Sequence, residues 1–240
     1  MLLRGLSRSS EHWGDFLERF RSAFQAVVTP DLPGAGVHHD VSAPATVPAL
    51  LAAVRAEVGP GRRFVLGLSL GGMVAQEWMR AHPEEVAGAV LINTSAGGLS
   101  APWQRARPRA VGQILAALAT TDPLARERRI HALTSTRPER ADEAVAVWAD
   151  LARRQKVSRA NVVRQLFAAA RFRAAPPPAS PVLVLTSGRD RLVDPTCSRA
   201  LADHLHAPLE EHPTAGHDLP LDDPDWVVDR VRGWVAARDR

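Results

Sequence analysis

The residues with the clearest capacity for chemistry are Gly67-Leu68-Ser69-Leu70-Gly71. They stand where an apolar run rich in strand formers, Arg63-Phe64-Val65-Leu66, gives way to a helical pattern from Leu70 to His82, stopped by Pro83. G-x-S-x-G at a strand-to-helix junction pinches the serine into a sharp turn and raises its hydroxyl off the sheet. The flanking glycines leave room that a side chain would fill. The helix that follows aims its free N–H groups and positive dipole end at the same spot. The chemistry this suits is nucleophilic attack. A phosphate-binding turn is the alternative use of such glycines, but neither a P-loop pattern nor G-x-G-x-x-G occurs around Gly67, Gly71 and Gly72.

A serine hydroxyl is a poor nucleophile at neutral pH, so it needs a base within hydrogen-bond reach and a group that orients the base. Of nine histidines, His217 stands out, in Ala215-Gly216-His217-Asp218 just after the last strand signal. A loop there can carry the imidazole over Ser69. His12, His38, His39, His82, His131, His204, His206 and His212 read as surface or packing residues, and the His38-His39 pair lacks a partner at metal-ligand spacing. For the acid, Asp190 lies just beyond the strand Val182 to Leu185, in Gly188-Arg189-Asp190. Asp194 is the runner-up, better placed as a helix N-cap before Pro195. Asp218 and Asp222 read as loop or capping residues.

These groups can meet only if the elements between them form a sheet with its carboxyl edge at the site. The first half of the chain predicts a strand at Met1 to Arg4, a helix from Glu11 to Phe24 and a short strand at Ala26 to Thr29. A helix follows from Val47 to Val58, then the strand and helix around Ser69, and a strand at Ala89 to Ile92. Alternation of this kind implies a mostly parallel sheet flanked by helices, with functional residues at the strands' carboxyl ends. From about Leu99 to Ala175 only helical signals appear: Val111 to Ala119, Pro123 to Leu133, Arg140 to Arg154 and Arg159 to Phe172. Pro176-Pro177-Pro178 closes this stretch. Strand signals return at Val182 to Leu185 and near Leu209, with helices at Thr196 to Leu205 and Asp225 to Ala237. The expected organisation is an α/β core, 1–98 and 176–240, carrying an all-helical cap, 99–175.

The order Ser69, Asp190, His217, together with Leu3-Arg4-Gly5-Leu6, Asp31-Leu32-Pro33-Gly34-Ala35-Gly36, Gly67 to Gly72 and Gly216-His217, resembles the α/β-hydrolase family in its esterase-like branch with a helical cap. The resemblance covers almost the whole chain. It implies an oxyanion hole of two backbone N–H groups, those of Leu6 and Leu70, each typically contributing a few kcal/mol to stabilising a tetrahedral intermediate. The sequence departs from the family where Arg4-Gly5 replaces the usual His-Gly. An arginine there could favour anionic substrates or pack against a loop carbonyl. Relatives also carry a strand or hairpin before this point, so either the sheet is smaller or the native start lies upstream.

Composition excludes little and is consistent with this reading. The 240 residues are 45% hydrophobic and 23% charged, ordinary for a globular protein. Cys197 is the lone cysteine, which fits a reducing compartment. No apolar run suits a membrane span, and the first residues do not read as a signal peptide, so the expectation is a cytoplasmic protein with no membrane partner. The net charge of +4 rests on arginine, with Lys156 the one lysine, and no motif points to nucleic acid. Charge is uneven, however. Between Leu99 and Ala175, fourteen Arg and one Lys face six acids, a balance of +9 that leaves −5 elsewhere. These arginines are expected to face outward, over a mostly apolar pocket walled by Leu99, Trp103, Ile114, Leu118, Trp148, Leu166 and Phe167; Arg4, Trp103, Trp148 and Phe167 are the candidate substrate-binding residues. The function expected is a serine hydrolase acting on a small carboxylic ester or thioester through an acyl-enzyme, needing no metal or other cofactor. C–C hydrolysis, perhydrolysis or a binding protein with a silent triad are the alternatives on this fold.

Overall fold

Five strands pair in parallel, in the spatial order β1-β2-β3-β4-β5: β1 (Leu2–Leu3), β2 (Arg63–Leu68), β3 (Val86–Ile92), β4 (Val182–Ser187) and β5 (Leu209–His212). This is a computed structural model and describes residues 1–238. The inner strands β3 and β4 read as mostly apolar runs because both faces of the sheet are covered there, whereas the edge strand β5 carries Glu210, Glu211 and His212. Leu3, Val65, Ala89, Leu91 and Val184 point to one face; Leu2, Leu66, Leu68, Val90, Ile92, Leu183 and Leu185 point to the other.

The helices divide between those faces. α1 (Asp15–Ala23) packs Phe16 and Phe20 on the second face, while α2 (Val47–Val58) and α3 (Leu70–Ala81) cover the first with Leu50, Val54, Val74 and Trp78. Between β3 and β4 runs the helical excursion, α4 (Pro102–Arg105), α5 (Pro108–Ala119), α6 (Pro123–Thr134), α7 (Ala141–Arg154) and α8 (Arg159–Arg171). α9 (Pro195–Leu205) returns to the first face, α10 (Leu219–Asp222) is a single turn, and α11 (Pro224–Ala236) closes the second face with Val227, Val231 and Trp234.

Two expected elements differ. Ala26 to Thr29 is not a strand: Ala26 has φ +55°, and the segment gives β1 a single ladder bond, Leu2 N to Val28 O at 2.9 Å. The helix expected from Glu11 to Phe24 is split, because Gly14 at φ +51° ends a 3₁₀ turn, Ser10–Trp13, before α1 begins.

Candidate active site

Ser69 joins β2 to α3 with φ +55° and ψ −115°, a backbone conformation that costs a non-glycine residue of order 1–3 kcal/mol. The surroundings hold it there. Ser69 N donates to Ile92 O at 2.9 Å, and Thr94 Oγ1 donates to Ser69 O at 2.7 Å. A Cβ on Gly71 would collide with the carbonyl oxygens of Leu3 and Arg4, so glycine is what lets the first turn of α3 press against the end of β1. On the other side, Gly5 passes close enough that a Cβ there would sit 3.3 Å from Ser69 Cβ. Leu6 and Leu70 flank the serine on the same cavity wall. Among the described residues neither their N–H groups donates a hydrogen bond, which leaves two backbone donors free beside Ser69.

His217 lies in the loop after β5, with Nδ1 2.7 Å from Asp190 Oδ2. Asp190 is itself fixed: its Oδ1 accepts from Leu192 N at 2.7 Å and Val193 N at 2.9 Å, which turns Oδ2 toward the imidazole. Both residues are buried. Burial works against a charged imidazole, but the charge and hydrogen bond of Asp190, with Asp218 adding to them, outweigh burial and the repulsion of Arg4 and hold the His217 pKa above the ordinary histidine value. His217 and Ser69 line the same cavity. Among the described residues, no hydrogen bond yet joins His217 Nε2 to Ser69 Oγ; such contacts commonly tighten only when substrate binds.

Sequence reasoning passed over Asn93, which follows β3 at φ +46°. Its Nδ2 donates to Ser187 Oγ at 2.9 Å and to His217 O at 2.8 Å, and its Oδ1 accepts from Ser187 N at 2.9 Å, so one side chain ties the ends of β3 and β4 to the histidine loop. The available signal was an amide directly after an apolar strand, at the carboxyl edge. Asp194 caps α9, accepting from Thr196 N at 3.0 Å, and pairs with Arg107. Asp222 is not a cap: it is the last residue of α10, and Asp223 caps α11. Asp222 accepts from Gly216 N at 2.6 Å, Ser135 Oγ at 2.5 Å and Thr136 N at 2.9 Å, pinning the histidine loop to the end of α6.

The cavity over Ser69 is about 820 Å³, and Ile114, Leu118 and Leu166 of the helical excursion line it as expected. Four other expected wall residues do not. On α8, Val162, Leu166 and Ala169 turn inward; Phe167, one step around the helix, is 53% exposed beneath Arg171. Trp103 is 66% exposed, and Leu99 packs against the core under the sheet's first face. Trp148 is buried outside the cavity lining, stacked under the Arg8 guanidinium at 4.3 Å and against His131 at 5.7 Å.

Charge is also placed differently from the expectation. Arg4 reaches the cavity wall but is not a free cation for substrate: it is buried, its NH1 and NH2 donate to Asp218 Oδ1 and Oδ2 at 3.0 and 2.7 Å, and its guanidinium lies 4.6 Å from the Trp13 ring. Arg8 pairs with Glu127 at 2.8 Å. The excursion's cations are not all turned outward. Arg105, Arg126, Arg129, Lys156 and Arg159 all reach the lining. Arg105 is used up on Ser95 Oγ and the carbonyls of Ala169 and Ala170, and Arg126 pairs with Glu127. Arg129, Lys156 and Arg159 are exposed and, among the described residues, form no ion pair. The cavity therefore has a largely apolar interior, in which Arg8 and Arg126 share Glu127 and Arg105 bonds only neutral oxygens, and a basic mouth.

A family model described as "Alpha/beta hydrolase family" matches residues 1–230. The chain is 33% identical over 250 residues to a pimeloyl-[acyl-carrier protein] methyl ester esterase of Aromatoleum aromaticum, a match covering 99% of this chain and 87% of that protein. Among solved structures, an esterase from Rhodococcus sp. ECU1013 superposes with TM-score 0.74 at 22% identity, covering 98% of this chain and 89% of its own. A meta-cleavage product hydrolase from Pseudomonas fluorescens IP01 does so with TM-score 0.79 at 15% identity, covering 99% and 90%. At these identities the two structures speak for the fold alone.

Proposed function

The chain belongs to the alpha/beta hydrolase family, and on that premise we propose that it is a serine carboxylesterase acting through an acyl-enzyme. The family and the esterase relative support hydrolase activity; the assignment of roles is our reading. His217 Nε2 takes the proton of Ser69 as its Oγ attacks the ester carbonyl. The N–H groups of Leu6 and Leu70 receive the developing oxyanion. His217 then gives the proton to the departing alcohol, and a water repeats the sequence to free the acid. Asp190 holds Nδ1 protonated and stabilises the imidazolium. The observation that carries this reading is the 2.7 Å contact of Asp190 Oδ2 with His217 Nδ1 on the cavity that also holds Ser69 at φ +55°. The test is hydrolysis of p-nitrophenyl esters from acetate to octanoate. Wild type should turn over and Ser69→Ala should not; equal rates for the two would refute the assignment.

The cavity's basic mouth favours a second, narrower reading: an ester whose remote end is anionic or joined to an anionic carrier; the relative's name gives a pimeloyl-[acyl-carrier protein] methyl ester as its own substrate. The apolar interior would take the acyl chain while Arg129, Lys156 and Arg159 meet the anion through charge-assisted hydrogen bonds. A carboxylated ester should then be preferred over its neutral match at low salt and lose that preference at high salt. A salt-independent ratio near one would remove this reading and leave the first intact.

A further inference from the structure

Arg4 and Asp218 stand 214 residues apart in the chain and meet in a buried two-pronged ion pair. Each is attached to a part of the site that must stay in register with the other. Arg4 directly follows β1 and precedes Gly5 and Leu6, the loop that passes close to Ser69. Asp218 follows His217, and its own N–H donates to Thr134 O at 2.8 Å. Trp13 backs the guanidinium on one side. A lone buried charge of either sign beside the imidazole would be costly and would distort its titration. Paired, the two charges offset each other.

We propose that Arg4 and Asp218 are a positioning pair that locks the Gly5–Leu6 loop to the His217 loop and cancels its own charge beside the imidazole. Neither touches the reacting atoms. The Arg–carboxylate fork supplies the geometry, since its two parallel hydrogen bonds fix angle as well as distance. The charged groups bearing on His217 are Asp190 from the β4–α9 loop, Asp218 from its own loop and Arg4 from the end of β1. Beyond these, Arg8 acts on Asp218, and His131 of α6, whose pKa burial pushes below the ordinary histidine value, lies near Asp218 and Asp222. Asp218 itself loses by burial but gains more from the charge and hydrogen bonds of Arg4, which keep it ionised below the ordinary carboxylate pKa.

The proposal's kinetic side rests on the esterase reading above; its electrostatic side does not. The experiment takes the full chain as wild type, Arg4→Gln, Arg4→Lys, Asp218→Asn and the double variant Arg4→Gln/Asp218→Asn. The His217 pKa is read by NMR titration of the ring, and kcat with p-nitrophenyl butyrate. Arg4→Gln should raise the His217 pKa and Asp218→Asn should lower it, each by about one unit. The double variant, which leaves no lone buried charge and so keeps the fold if either single fails, should return the pKa close to wild type while kcat stays reduced, because the fork is gone. Arg4→Lys keeps the charge but loses the fork, so the pKa should hold while kcat falls by about 10- to 100-fold. Single variants that move the pKa in the same direction or not at all, or an Arg4→Lys protein with wild-type kcat, would overturn the proposal. If fluorophosphonate fails to label Ser69 in wild type, the esterase reading fails, and the NMR titration still decides whether the pair balances charge at His217.

Discussion

Asp190→Asn is the sharpest perturbation because the structure dictates which way the new amide must face. Oδ1 of Asp190 accepts from two backbone N–H groups, those of Leu192 and Val193. In asparagine only the carbonyl oxygen can fill that role, so the NH₂ group takes the place of Oδ2, 2.7 Å from His217 Nδ1. There it donates to Nδ1. The ring is forced into the tautomer protonated on Nε2, which cannot accept the proton of Ser69. The same exchange in a Ser-His-Asp protease lowers kcat about 10⁴-fold, which corresponds to about 5.5 kcal/mol of barrier. The shape is unchanged, so the fold should survive. The assay is kcat on p-nitrophenyl butyrate, with the near-ultraviolet circular dichroism spectrum as the check on packing. Asp194→Asn, which alters a cap and a surface ion pair, should stay within a few-fold of wild type. An Asp190→Asn enzyme within about tenfold of wild type would refute the reasoning, and a dead Asp194→Asn enzyme would assign the acid to the wrong residue.

Three further outcomes are expected. Because the His217 pKa lies above the ordinary histidine value of 6.5, activity should fall on the acid side with a midpoint above 6.5, and Asp190→Asn should displace that limb downward; kcat/KM against pH measures both. Asp222→Ala strands the N–H groups of Gly216 and Thr136 and the hydroxyl of Ser135, a loss of about 3 kcal/mol that should lower Tm by roughly 6–12 °C in a chain of this size, with kcat reduced because the histidine loop is released. Glu85 is drawn from 4.5 to about 2, first by hydrogen bonds from Arg55 and, against opposing burial, by Trp78 as well. A depressed carboxylate contributes stability that is complete above about 4.5 and disappears as pH falls toward 2, so Glu85→Gln should flatten that section of a Tm-against-pH curve.

What could be read from sequence was what local chemistry controls. The strand before Ser69, the turn and α3 are spelled out by Val65-Leu66, by glycines that nothing larger could replace, and by helical spacing. Their places just past strand signals, together with their order after Ser69, pointed to Asp190 and His217 as partners, and the structure brings them into contact. The excursion's cavity wall was legible only in part, because every helix there has apolar residues on more than one face. Composition cannot tell Leu166 from Phe167, and the helix phase that separates them is set by distant partners: Gln165 accepts from Ser7 N and donates to Pro33 O, and Ala168 and Phe172 join the core. The same holds for charge. Arg4 and Asp218, or Arg8 and Glu127, pair across more than a hundred residues, and no local pattern announces such a meeting. Arg129, Lys156 and Arg159 belong to a segment whose basic balance is plain in the sequence, yet their position at a mouth comes from the exposed face of α6 and from the turn that leads into α8.

The central claim is that Ser69 is a nucleophile activated by His217. The most direct measurement is labelling with a fluorophosphonate probe, mapped by peptide mass spectrometry, on wild type, Ser69→Ala and His217→Ala proteins of matched fold. The account predicts a single phosphonylated residue, Ser69, in wild type, none in Ser69→Ala, and labelling slowed by at least about a hundredfold in His217→Ala. Label on a different residue, or a His217→Ala protein that reacts as fast as wild type, would contradict it.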